Sequence, residues 1–183
     1  MSEELLIRHC SPTLAGLKTG NMFRCAYQSQ KELLDEIRRL NRKLACKGLR
    51  VVPLRIDEKT ALIYMYRPSK LKADFEHCDA VCLLKRFGYT CERPDRCVAE
   101  LVARMREESE FPHEVGLFLG YPPEDVHGFI ENKARCSKCT GTWKVYGDEE
   151  KAQKTFALYK KCTDIYCAQH AQGKSIERLT VAG

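Results

Sequence analysis

The spacing of hydrophobic and polar positions predicts a helix followed by a β-hairpin in the first third of the chain. Ser29 and Glu32 form a capping box ahead of leucines and isoleucines spaced three or four residues apart, and Gly48 is placed to end this helix. Apolar and polar residues then alternate over residues 49–56 and 61–66 around a polar turn. This alternation is typical of two paired antiparallel strands.

Another helix is expected near the start of the chain. Ser11 or Thr13 can cap a helix that Pro12 is suited to begin, because the fixed φ of proline fits the first helical position. Cys10 would then lie at a helix N-terminus. The helix dipole there favours thiolate over thiol.

The remainder of the chain also reads as mostly helical. Several helical pieces are expected between residues 69 and 109, and residues 141–146 have a strand-like pattern. Asp148 is placed to cap a long helix that Gly173 ends, and Ser175 can cap a short final helix.

The clearest signals for the start and end of secondary-structure elements lie in the stretch of residues 111–132, FPHEVGLFLGYPPEDVHGFIEN. Its apolar run at 115–119 has the length of a short buried strand, which opens on His113 and ends at Gly120. Pro123 is suited to begin the helix that follows. Together the patterns predict one α+β domain over residues 1–183. It would hold a small, mostly antiparallel sheet of three or four strands packed with helices, and a long C-terminal helix.

Charge and composition narrow the class of protein. The net charge of +6 is spread over 31 basic and 25 acidic residues, and no basic run is interleaved with aromatic residues, so the composition argues against nucleic-acid binding. No apolar stretch approaches the ~20 residues that cross a bilayer. The first residues lack a signal-peptide core, so the 11 cysteines are expected to be reduced thiols of a cytoplasmic protein.

Four segments of the sequence resemble those of a known family. HCSPTLAGLKTGNMF, YRPSKL, the 111–132 stretch and WKVYGD are similar to an uncharacterised bacterial family, a domain of unknown function common in anaerobic Gram-positive bacteria. The resemblance spans essentially the whole chain and implies no established activity. It implies a link to redox or iron metabolism, with a partner protein from that physiology.

Cys10 and His113 are the candidate catalytic residues. A cysteine at a helix start and a histidine at a strand start are similar to the arrangement in papain-like thiol hydrolases, with Asn132 or Asp125 orienting the imidazole. The papain cysteine signature is absent around Cys10, however, and only nine residues precede it. Our first expectation is nevertheless a thiol-dependent protein, whether an enzyme or a sensor.

A metal site is an alternative. Cys136 and Cys139 have the spacing of a zinc knuckle, and Cys167 and His170 on the last long helix can complete a Cys3His site. Zinc is favoured over an iron–sulfur cluster.

A third alternative has no catalysis. The surface around FLGYPPEDV would then recognise a partner protein. Arg67, after the second hairpin strand, is expected to be solvated, and the alternative is that it binds an anion.

Overall fold

The computed structural model describes residues 1–90, 93–107 and 111–183. The helices that it contains are α1 (Glu3–Leu14), α2 (Gln30–Leu44), α3 (Pro68–Asp74), α4 (Cys78–Arg86), α5 (Pro94–Glu107), α6 (Val115–Phe118), α7 (Pro123–Glu131), α8 (Glu149–Ala171) and α9 (Ile176–Leu179), with a 3-10 turn at Ala45–Lys47. The strands are β1 (Gly20–Ala26), β2 (Arg50–Ile56), β3 (Thr60–Tyr66), β4 (Cys139–Thr140) and β5 (Lys144–Val145). The expected α+β class with a long C-terminal helix is confirmed.

The main sheet has three antiparallel strands in the order β1-β3-β2. The predicted hairpin is therefore correct, and β1 is the strand that the pattern did not reveal. Alternate residues of β3 point to opposite faces of the sheet. Ile63 belongs to a core formed with α1 and α2, whereas Tyr64 belongs to a second core formed with α3 to α7. The sheet is thus covered on both sides, and α8 packs along α1.

The first helix begins earlier than predicted. Ser2 accepts a hydrogen bond from the backbone N–H of Leu5, and Glu3 and Glu4 favour the positive end of the helix dipole. Pro12 lies inside α1 rather than at its start. Cys10 consequently lies in the second half of the helix, and the expected N-terminal position is wrong.

The apolar run at 115–119 is helical rather than a strand. The N–H of Leu117 bonds to the carbonyl of Glu114, and that of Tyr121 bonds to the carbonyl of Gly116. Val115, Leu117 and Phe118 are all buried in the second core. A short helix buried on every side has the same continuous apolar pattern as a buried strand. The predicted start of α7 at Pro123 is confirmed.

Arg67 is buried, with 2% of its surface exposed, so the expectation that it is solvated is wrong. Its Nε donates to Thr13 O at 2.7 Å, its Nη2 to Leu14 O at 2.8 Å and Val181 O at 2.7 Å, and its Nη1 to Lys47 O at 3.2 Å. The carbonyls at the end of α1 have no partner within their helix, so the guanidinium satisfies them. Arg67 therefore joins α1, the chain before β2 and the C-terminal tail.

Within the three described ranges, no helix has both the length and the apolar character that a bilayer crossing requires.

Candidate functional site

A buried carboxylate fixes the hairpin that bears the only tryptophan. Asp125 lies in the first turn of α7 and is 3% exposed. Its Oδ1 accepts hydrogen bonds of 2.7 Å from the backbone N–H groups of Tyr146 and Gly147, and its Oδ2 accepts one of 2.7 Å from the indole of Trp143. All three donors are N–H groups, and hydrogen bonds to a carboxylate are stronger than those between neutral groups. Asp125 thereby holds the β4–β5 hairpin against α7.

Trp143 forms an aromatic wall with Tyr121 and Phe156. The ring centroids of Tyr121 and Trp143 are 4.9 Å apart, and those of Trp143 and Phe156 are 4.5 Å apart in an edge-to-face arrangement. Gly141 permits this packing, because a Cβ there would overlap the ring of Phe156. The strand-like pattern predicted at 141–146 is therefore mostly a turn, with β5 covering two residues.

An apolar cavity of about 460 Å³ lies on one side of the aromatic wall. It is within the size range of small-molecule and side-chain sites. His113 lines it and packs edge-to-face on Phe129, with ring centroids 5.1 Å apart. The other apolar and aromatic residues that line it are Phe111, Val115, Tyr121, Val126 and Trp143.

A polar cleft of about 400 Å³ lies on the other side, and Tyr121 and Trp143 line both spaces. Besides Asp125, four carboxylates line the cleft and form no ion pair with any residue of the described ranges, and these are Asp74, Asp79, Glu124 and Asp148. Lys151 is the only lysine among the lining residues. The cleft is consequently acidic, although the chain as a whole carries +6.

Burial raises the pKa of several groups in the cleft. It raises the pKa of the Asp74 carboxyl, and the hydrogen bond donated by the Thr19 hydroxyl opposes this effect. Burial also raises the pKa of Tyr121 and of Tyr159 to about 12. Both phenols are therefore neutral near pH 7, and the Tyr121 hydroxyl donates to Thr142 O at 3.2 Å.

Lys18, which no sequence pattern predicted as a site residue, is a buried amine beside this cleft. It is 3% exposed, its Nζ donates to Gly20 O at 2.7 Å, and the nitrogen lies 5.0 Å from the ring centroid of Tyr121. Burial lowers the pKa of Lys18 to about 7. Its position between Gly16 and Gly20 predicts a turn, and turns are usually solvated, so no sequence signal marked its burial.

The structure does not bring Cys10 and His113 together. Cys10 is fully buried in the core formed by α1 and α2, and burial raises its pKa to about 12, opposite to the expected direction. His113 is exposed and packs against α7 on the other side of the sheet. Asn132 donates to Gly128 O of its own helix at 2.8 Å.

The four predicted metal ligands are not assembled either. Cys136 is exposed in the loop before β4. Cys167, in contrast, packs against the core formed with α1 and α2. His170 Nδ1 lies 3.0 Å from Lys174 O. Over residues 1–90, 93–107 and 111–183, no three His, Cys, Asp or Glu side chains are placed to hold one metal ion.

Comparison with known proteins identifies a family. The family model described as "Protein of unknown function (DUF3793)" matches residues 6–180, which is nearly the whole chain. No curated protein and no solved structure matches. The chain therefore belongs to the family of proteins of unknown function DUF3793.

Proposed function

We propose that this protein is a non-catalytic binding module that recognises a partner protein at the Tyr121–Trp143 pair. The observation that carries the proposal is that these two rings are shared by an apolar cavity and an acidic cleft. A peptide segment crossing the pair would insert an apolar side chain on one side and direct a basic side chain to the other.

The chemistry of the two spaces supports this kind of ligand. Apolar and aromatic side chains inserted into a preformed cavity supply most of the affinity in many interfaces. The four carboxylates of the cleft lack ion-pair partners in the described chain, so they attract a basic side chain. The complementary partner therefore presents an aromatic or branched residue next to lysine or arginine.

A partner in redox or iron metabolism and a cytosolic location belong to the same proposal. They rest on the resemblance and on the cysteine content of the sequence. A thiol enzyme is not part of it, because Cys10 is buried and distant from any base that the sequence analysis suggested.

Trp143 provides the test, since it is the only tryptophan and lies in the wall of both spaces. The probes are two acetylated dipeptide amides, one with phenylalanine and lysine and the other with phenylalanine and glutamate. Titration of the lysine peptide is expected to change Trp143 fluorescence at concentrations where the glutamate peptide has little effect. Equal responses to both peptides, or none to either, would contradict the proposal.

Two pairs of variants separate the contributions of charge and cavity. Asp79→Asn with Glu124→Gln should abolish the preference for the lysine peptide, whereas Asp164→Asn with Glu150→Gln should retain it. The second pair makes the same charge change at carboxylates outside both spaces, which are already paired with lysines. Phe129→Ala should weaken binding of both peptides. Leu158→Ala, at an exposed leucine of α8, should not.

A further inference from the structure

Lys18 carries a buried amine, and the titratable group that acts on it electrostatically is the Cys10 thiol, which burial keeps protonated near pH 7. Its Nζ has one carbonyl acceptor, Gly20 O, and the face of the Tyr121 ring, and no carboxylate in the described part of the chain pairs with it. Burying an ammonium group under these conditions is costly, so the neutral amine is favoured. A neutral lysine has a free lone pair and is a nucleophile.

The amine belongs to a cavity of its own. A space of about 300 Å³ between α1 and α8 is lined by Lys18 together with His9, Asn21, Tyr159 and Thr163. His9 at its rim is exposed, so the space opens to solvent. This volume is at the small end of ligand sites and suits a molecule of a few heavy atoms. Asp164 also lines the space but pairs with Lys160 rather than with Lys18.

We propose that Lys18 is a reactive amine that forms an imine with small carbonyl compounds entering this cavity. The nitrogen lone pair attacks the carbonyl carbon, and one proton moves from nitrogen to oxygen to give a carbinolamine. The hydroxyl then leaves as water with the remaining nitrogen proton, and a C=N bond forms. The reaction needs neither an oxidant nor a reductant. Tyr159 and His9 line the same space and can transfer these protons.

This inference does not depend on the partner-binding proposal. It concerns covalent chemistry at Lys18, which lines neither of the two spaces assigned to the partner. The two proposals are also tested by different readouts, tryptophan fluorescence for the partner and modified peptides for the amine.

The experiment uses the intact protein with pyruvate or propanal at pH 7, and cyanoborohydride to reduce any imine to a stable secondary amine. Peptide mapping by mass spectrometry then gives the rate of modification at each lysine. Lys18 is expected to be modified at least about tenfold faster than exposed lysines, because far more of it is neutral at this pH. Modification by pyruvate alone, by propanal alone or by both supports the proposal and defines the charge of the compound.

Two substitutions on α8 provide matched variants. Thr163 and Thr155 are both half-buried, and each hydroxyl donates to the carbonyl four residues earlier, at 3.0 Å and 2.8 Å. Thr163 lines the Lys18 cavity, so Thr163→Phe should fill it and slow the modification of Lys18. Thr155 lines the polar cleft instead, so Thr155→Phe should leave the rate at Lys18 unchanged. The proposal is overturned if Lys18 is modified no faster than Lys160 at the cavity rim. It is equally overturned if both variants leave its rate unchanged.

Discussion

The indole nitrogen of Trp143 donates a 2.7 Å hydrogen bond to the carboxylate of Asp125, 18 residues earlier in the chain. The same carboxylate holds the backbone that follows Trp143. One aspartate on α7 therefore sets both the path of the β4–β5 hairpin and the orientation of its aromatic side chain.

Asp125→Asn should loosen this hairpin. An amide in place of the carboxylate turns an NH2 group toward N–H donors and loses at least one charged hydrogen bond, at a cost of about 2 kcal/mol. Urea unfolding should show a lower midpoint, and the emission of Trp143 should shift to longer wavelength. Asp164→Asn, at an exposed aspartate of α8, is the control and should change neither. An unchanged midpoint in Asp125→Asn would show that the hairpin is held by other contacts.

Arg67→Lys should destabilise the protein although it keeps the charge. A single ammonium group cannot reach four carbonyls that a planar guanidinium contacts together, so we expect a loss of about 3 kcal/mol. Thermal or urea unfolding measures the difference. Arg55→Lys, at an exposed arginine paired with Asp57, should be neutral. Equal effects of the two substitutions would contradict the role assigned to Arg67.

Lys18 should make stability depend on pH. Its pKa is about 7 in the folded chain, against an ordinary value of 10.5. Between these values the unfolded chain binds more protons, so the free energy of unfolding rises with pH, by at most about 1.4 kcal/mol per unit. Urea unfolding at pH 7.5 and 8.5 should show the rise in the wild type and lose it in Lys18→Met. Burial raises the pKa of Cys10 to about 12, so above its ordinary value of 9.0 this thiol lowers the free energy of unfolding as pH rises. The comparison therefore ends at pH 8.5, below that range.

Cysteine alkylation should divide the thiols by burial rather than by proximity to a base. Iodoacetamide near pH 7.5 should modify Cys10 at least ~100-fold more slowly than exposed thiols, because little thiolate forms and reagent cannot reach it. His113→Ala should leave that rate unchanged. Among the cysteines of the described ranges, the thiols expected to react first are Cys46, Cys78, Cys82 and Cys136. Fast modification of Cys10 that slows in His113→Ala would restore the thiol-site hypothesis.

Local signals in the sequence were enough for much of the fold. Ser29 and Asp148 each accept a hydrogen bond from a backbone N–H of the first turn, as their positions predicted. The β2–β3 hairpin followed from alternation around a polar turn. The apolar run of α6 was misread because four consecutive buried residues have no period that separates helix from strand.

The site depended on contacts that a single sequence does not display. Asp125 was expected only as a residue that orients the His113 imidazole, and its actual partners lie about 20 residues later in the sequence. Arg67 was expected to be solvated. Its carbonyl acceptors come from three separate segments, so no local pattern in the sequence indicates that they surround it. Burial of Lys18 and Cys10 likewise arises from packing between distant elements, which composition and spacing do not encode.

The bond from Arg67 to Val181 spans 114 residues and has a consequence for folding kinetics. Closing so long a loop costs more entropy than closing the turn between β2 and β3, so the hairpin can form in the transition state while the tail is still free. Interactions that are absent from the transition state change the unfolding rate and leave the folding rate almost untouched. Arg67 therefore governs how long the native state lasts rather than how quickly it is reached.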